Sequence, residues 1–362
     1  MTLTLPNAPA CAPNTARKLG ELVFVGGSGP AAGAAAPAPP GDVREQARAA
    51  FDALAELLEM AGGGIGDVVD LVTLHADART IETVFEVGRE RFERDFPAWT
   101  PVAVTALPEP GTLVALGAVA VLGDAPKQCV IPDTIKWWHE HPASAGCRKG
   151  DLLFVAGQYG SDADGNVNTP GDHAGQARNA LNRVKEICEL AGTGLDDVIA
   201  VTSFHQDPRW IPAVAAVYEE EFFGAAGAGA PAWGAVGVPG LLKLGMLGQY
   251  RAVVDAGARP ALAAGTGAPP AREGGEVAHR GDPEAQAHAA FEALAESLAT
   301  AGASLSDVVQ LVSFHIDAEA LDAAARVGRE LLGDEAPVWT AAGMTGTWEE
   351  GQQHALHALA AR

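Results

Sequence analysis

The chain has 362 residues, 48% of them hydrophobic and 19% charged, with a formal net charge of −22. That length and apolar content support two or three domains with buried cores. The acidic balance works against nucleic acid and anionic membrane surfaces as partners, because both are held by clustered Lys and Arg. No apolar run reaches the roughly 20 residues of a membrane span, and the opening MTLTLPNAPACAPNTARKLG lacks the charged start and apolar core of a signal peptide. Cys11, Cys129, Cys147 and Cys188 are far apart with no CxxC pair. They read as reduced thiols of a cytoplasmic protein, not as a zinc site.

In chain order, ELVFVGG predicts a strand, followed by a Gly- and Pro-rich turn through AAGAAAPAPPG. Gly41-Asp42 then offers a turn and an N-cap, and Phe51, Leu54, Leu57 and Leu58 recur at helical spacing. Ala61-Gly62 stops that helix, and β-branched DVVDLVTLHAD predicts a strand. A second helix over ARTIETVFEVGRERFERDF and two closing strands, PVAVTAL and GTLVALGAVAVLG, complete the unit. The block at 41–77 recurs without gaps at 171–207 and 281–317; the first and third copies agree at 21 of 37 positions and all three share 12. Three repeats follow, 1–126, 127–257 and 258–362, the third with a shortened first strand. AGTGAPPAREGG (264–275) is a surface turn in the third. The middle copy alone carries tyrosines and the aromatic stretch WWHEHP; either His139 and His141 supply acid-base groups or, second to that, metal ligands, or the stretch is a surface lead-in strand with packed tryptophans.

The string RKGDLLFVAGQYGSDADGNV, followed by the middle block and APAWG, resembles the RidA family (YjgF/YER057c/UK114), and the likeness runs through each repeat in order. The resemblance implies an α+β, chorismate-mutase-like fold that assembles as a homotrimer, with a central barrel-like core of sheets and helices outside. Three fused copies then imply an intramolecular pseudo-trimer, a monomer with clefts between repeats, any higher assembly being left open. The activity implied is hydrolysis of reactive enamines and imines such as 2-aminoacrylate, with an arginine in Pro-Ala-Arg-Ser/Thr gripping the substrate carboxylate. At those positions PAWT, PAWG and PVWT place Trp99, Trp233 and Trp339. A family glutamate on the closing strand aligns with Gly117, Gln249 and His357.

Among the candidate residues, His75, His205 and His315 each begin a His-X-Asp pattern with Asp77, Asp207 and Asp317. Either the Asp orients the His for proton transfer, or the Asp caps the next turn while the His packs in a polar pocket. The tryptophans either stack on a substrate or attract a cation, or else fill the space of the missing arginine. Arg251 and Gln249, two apart in MLGQYRAVV, replace the carboxylate grip from another strand or sit at an edge in water, with Lys243 nearby. The glycine turns precede no helix with Lys-Ser/Thr, which excludes a nucleotide loop.

The preferred expectation is an enzyme on a small imine, enamine or related unsaturated metabolite, in a specialised biosynthetic pathway, with neither cofactor nor metal. Its chemistry is hydrolysis, tautomerisation or cyclisation by proton transfer. His205, Gln249 and Arg251 are the catalytic candidates; Trp233, Gln158, Trp99, Trp339, His75 and His315 are the substrate-binding ones. One alternative is a non-catalytic metabolite-binding or scaffolding pseudo-trimer. Another is chorismatase-like or cyclic-amide hydrolase chemistry on the same architecture. An open cleft holding Arg251 and His205 favours the enzyme, and tryptophan-filled clefts favour the scaffold.

Overall fold

Each repeated block folds as its periodicity predicts, because Asp at the helix start and Ala-Gly at the end satisfy the backbone groups that a helix leaves unpaired. The computed structural model describes residues 1–4, 15–28, 41–224, 229–258, 260–268, 277–333 and 336–362. Cys11, the turn before Gly41 and all of PPAREGG lie outside them, whereas residues 264–267 of the expected surface turn belong to a buried strand, Leu262–Gly267. The first repeat comprises β1 (Thr2–Thr4), β2 (Thr15–Leu19), β3 (Leu22–Ser28), α1 (Val43–Met60), β4 (Val68–His75), α2 (Ile81–Arg91), β5 (Ala98–Ala103) and β6 (Val114–Val121). The second comprises β7 (Lys127–Val130), β8 (Gly146–Lys149), β9 (Leu152–Gln158), α3 (His173–Leu190), β10 (Val198–His205), α4 (Ile211–Val217), β11 (Ala232–Gly237) and β12 (Gly248–Asp255). The third comprises β13 (Leu262–Gly267), α5 (Pro283–Thr300), β14 (Val308–His315), α6 (Ala318–Leu332), β15 (Val338–Gly343) and β16 (His354–Ala361).

The Asp42 side chain accepts from the amides of Arg44 and Glu45, Asp172 from Gly175 and Asp282 from Ala285. The sheets run β1-β2-β3-β6-β4-β5, β11-β10-β12-β9-β8-β7 and β13-β16-β14-β15. Within each, a parallel pair joined by a helix (β4 and β5, β10 and β11, β14 and β15) sits beside antiparallel neighbours. Among the described residues the third sheet therefore lacks the two outer strands that cover β3 and β9 in its sisters. WWHEHP is not the strand expected: residues Lys136–Glu140 form a 3-10 turn that buries Trp137 and Trp138.

One face of every sheet carries a helical layer, and the opposite faces meet on a common axis. Val72, Thr202 and Val312, with Leu74, Phe204 and Phe314, line a central cavity of about 60 Å³. The fold is α+β in a trimer-like tandem arrangement, but the expected barrel does not close among the described residues. The sheets touch through isolated bridges, Ala98 with Ser144, Ala103 with Gly240 and Gly237 with Gly346. They also touch through single bonds: the Gly157 amide donates to Thr100 Oγ1 at 2.9 Å and the Gly27 amide to Thr340 Oγ1 at 3.0 Å. Both glycines lie where β9 and β3 shift register against their closing strands, whereas β13 pairs with β16 without a shift. At the junction of repeats two and three the threonine position is Gly234, so this tie is missing there.

Candidate functional site

The strand-end histidine, the hydroxyl two residues before it and the motif tryptophan form one hydrogen-bonded chain in every repeat. Trp99 Nε1 donates to Thr73 Oγ1 at 3.0 Å, Trp233 to Ser203 at 2.9 Å and Trp339 to Ser313 at 2.7 Å. The same hydroxyls lie 2.8 Å from Nε2 of His75, His205 and His315. A hydroxyl that accepts from indole has its own proton free for Nε2, which leaves the ring proton on Nδ1. Nδ1 of His75 then donates to Thr80 Oγ1 at 2.9 Å, and that of His315 to His354 Nδ1 at 3.0 Å, with His354 Nε2 donating to the Pro283 carbonyl. His205 Nδ1 has no partner among the described residues. Burial drives all three histidines down to about 3, so they are neutral and enclosed. Asp77 and Asp207 cap the following turns and pair with Arg79 and Arg209, and Asp317 caps α6. None of the three touches its histidine.

Why the tryptophans differ is written thirteen residues beyond each histidine. There the first and third repeats have Gly88 and Gly328, and a Cβ on either would stand 2.4 Å or 2.5 Å from the indole of Trp99 or Trp339. The missing side chain lets the indole slide under the helix. Trp99 is 1% exposed, edge-on to Phe51 and Phe85, whereas Trp339, under its helix and edge-on to Phe291, is half-buried. The second repeat has Tyr218 at this position. Its ring stacks on Trp233 at 4.4 Å and 13°, the helix widens into a π turn over Tyr218–Phe223, and Trp233 stays half-buried. Such π turns often mark functional positions.

The junctions diverge accordingly. Between repeats one and two, Trp137, Trp138 and His141 plug the space beside Trp99, Pro101 and Gln249, leaving about 10 Å³. Lys243 Nζ rests 4.9 Å from the Trp137 ring. Between repeats two and three lies a groove of about 640 Å³, walled by Trp233, Tyr218 and Trp348 with Asp196 and Glu219 among its polar lining. It occupies the side of β13 that a strand covers in the other sheets. Arg362 donates to the Ala301 carbonyl at the end of α5, as Lys18 and Arg148 on β2 and β8 do at the ends of α1 and α3. Arg362 thus makes in the third repeat the helix-end contact that β2 and β8 make in the first and second.

The other candidates fall elsewhere. Arg251 points into the central cavity, not into a cleft. It is ion-paired to Asp70 of the first repeat at 2.5 Å, the two side chains being 13% and 4% exposed. Burial pushes the Asp70 carboxyl up, against the pull of the guanidinium. Asp70 Oδ1, Arg251 Nε and His357 Nδ1 are buried there without hydrogen-bond partners among the described residues. Strand register also corrects the alignment on the closing strand: Gly117 faces Val72, Arg251 faces Thr202 and His357 faces Val312. Arg251, not Gln249, is therefore the counterpart of Gly117 and His357. Gln249 lies on Gly157 in the plugged junction, and Gln158 donates to the Ala156 carbonyl within its own strand. Sequence reasoning singled out neither Tyr218 nor Trp348. The contrast of VGRE at 87–90 and 327–330 with VYEE at 217–220 is the signal that marks the first.

Residues 6–122, 139–247 and 243–348 each match the family described as Endoribonuclease L-PSP. The RutC family protein YjgH of Escherichia coli (strain K12) is 47% identical over 70 residues, 19% of this chain and 52% of YjgH. The 2-iminobutanoate/2-iminopropanoate deaminase of Bos taurus is 38% identical over 84 residues, 23% of this chain and 61% of that protein. These matches span less than two thirds of the relatives' own length. Among solved structures, Protein YJGH shows 36% identity and a TM-score of 0.32, covering 37% of this chain and 98% of its own. The YjgF gene product from E. coli shows 27% and 0.31, covering 35% and 98%. With three matches running in order through most of its length, the chain belongs to the Endoribonuclease L-PSP (RidA/YjgF) family and carries its module three times in tandem.

Proposed function

We propose that this protein binds a flat apolar or aromatic metabolite in the groove between the second and third repeats, and that it does not hydrolyse imino acids. The observation that carries this reading is the tryptophan–hydroxyl–histidine chain. At each position where the resemblance calls for a carboxylate-gripping arginine, the side chain is an indole whose only donor is already used. Arg251 does not replace it, since its guanidinium is held by Asp70, and enclosed neutral histidines reach no substrate. Proton-transfer chemistry at His205, Gln249 and Arg251 loses its support. The non-catalytic alternative gains it, as a binding pseudo-trimer working as a single chain.

The groove offers two stacked rings and, at 5.9 Å, the edge-on ring of Trp348, surfaces suited to a planar ligand. Asp196 and Glu219 outnumber Arg362, which is engaged by the Ala301 carbonyl, in the groove's lining and so disfavour a carboxylate or phosphate there, and the net charge of −22 disfavours RNA despite the family description. No helix among the described residues is long and apolar enough to cross a membrane, and thiols left free suit the cytoplasm. Two measurements test the reading. Ammonia release from enzymatically generated 2-aminoacrylate should stay at the uncatalysed rate. Calorimetric titration with quinoline should show binding that Trp348→Ala weakens about tenfold. Deaminase-level ammonia release, or no binding of quinoline, overturns it.

A further inference from the structure

The hairpin of β7 and β8 places Cys129 directly across from Cys147. Residues opposed in an antiparallel pair point to the same face with Cα atoms about 4.5 or 5.5 Å apart, and both spacings lie inside the range that a disulfide spans. The register alone therefore sets the two Cα atoms within disulfide reach. The two thiols are also unequal. Cys129 is half-buried, and its Sγ donates to the Phe96 carbonyl at 3.4 Å. Cys147 is fully enclosed beneath it, 0% exposed. We propose that Cys129 and Cys147 form a redox-active dithiol that low-molecular-weight disulfides oxidise to an intramolecular disulfide.

The Cys129 thiolate attacks one sulfur of the small disulfide, forming a mixed disulfide and releasing one small thiolate. Cys147 then loses its proton and attacks Cys129 Sγ, forming the protein disulfide and releasing the second. Two protein thiols are oxidised and one small disulfide is reduced to two thiols, so electrons and atoms balance. The roles follow from the surroundings. Contact with the Cys147 thiol, together with Ser144 and Lys127, brings Cys129 down to about 6, while Cys147 is pushed up by the same contact and by burial. The half-buried partner is the nucleophile and the fully enclosed one resolves it. Cys188 has neither a cysteine opposite nor exposure, and burial raises it to about 11.

The site lies on the seam with the first repeat. Phe96 O accepts from both Cys129 and Ser144, and the Ser144 amide donates to the Pro97 carbonyl. Oxidation removes the Cys129 donor and leaves the Ser144 one.

The test treats the full chain, natively folded, with excess oxidised glutathione, followed by alkylation, digestion and mass spectrometry without reduction. The expected product joins the tryptic peptides 128–136 and 137–148 through Cys129 and Cys147. Cys147→Ser should instead hold glutathione on Cys129, and Cys129→Ser should leave Cys147 as a free thiol. Cys188→Ser should change nothing. Cys129 should also react with a chromogenic disulfide at least about tenfold faster than Cys188. Glutathione accumulating on Cys129 of the unmodified chain without a cross-link, or both cysteines remaining free, overturns the proposal. Because the cross-link is read on the unmodified chain, a variant that fails to fold does not blunt the test.

Discussion

The junction between repeats one and two and the junction between repeats two and three are built from the same module and end in opposite states. The first is tied by the Gly157-to-Thr100 bond and filled by Trp99, Trp137 and Trp138. The second has Gly234 in place of the threonine, no outer strand on β13 among the described residues and a groove of about 640 Å³. The difference turns on small substitutions: one glycine exchanged for tyrosine beneath a helix, and one hydroxyl exchanged for glycine on a strand. Duplication supplied three equivalent seams, and local sterics decided which of them stayed open.

Removing the tryptophan should separate the two junctions most sharply. Trp99→Ala empties an enclosed site and should cost about 3–5 kcal/mol in denaturant unfolding. Trp233→Ala removes a ring that already faces the groove and should cost roughly half as much or less, in proportion to its smaller burial. Equal losses would show that the second junction is as tightly packed as the first. The next effect concerns the helix above the ring. Gly88→Ala sets a Cβ 2.4 Å from the Trp99 indole, and such overpacking costs about 1–3 kcal/mol, against at most about 1 kcal/mol gained from helix propensity. In the opposite sense, Tyr218→Gly should let Trp233 sink under its helix and shift its emission to the blue. A neutral Gly88→Ala would mean that the indole has room to move and that glycine is not what holds it under.

The fold was legible because period-3.6 and period-2 patterns, N-cap Asp and Ala-Gly stops recur in the same order three times, each setting local structure without help from distant contacts. The site was legible only in what it lacks. Trp99, Trp233 and Trp339 mark the absent arginine, but whether an indole lines a cleft or lies under a helix depends on Gly88, Tyr218 and Gly328, and thus on packing between elements. Arg251 resisted for the same reason. A charge within an apolar strand announces a partner, but Asp70 is 181 residues away in the chain, and only the docking of one repeat on another brings them together. The plugged junction shows a further limit, since the aromatic lead-in forms a 3-10 turn and not a strand, and a short run of large residues has no period to tell the two apart.

What the junctions share supplies the most specific effect, the smallest when read per pH unit. His75, His205 and His315 sit in the same chain of bonds, held down to about 3 by burial against about 6.5 in an unfolded chain. Above about pH 6.5 both states are neutral and the histidines leave stability unchanged. As pH falls from 6.5 towards 3 the unfolded chain binds protons that the folded one refuses, so stability is lost across that window, by about 1.4 kcal/mol per pH unit for each histidine. Replacing one of them, His205→Gln, should lower the steepness of unfolding free energy against pH by one proton's worth. His205 is the best choice because its Nδ1 has no partner among the described residues, so the amide gives up fewer bonds than at His75 or His315. An unchanged slope would mean that the imidazole takes up its proton in the folded state near its ordinary value. The chain from tryptophan through hydroxyl to histidine would then be open to solvent, and the distinction between a sealed seam and an open one would no longer hold at its centre.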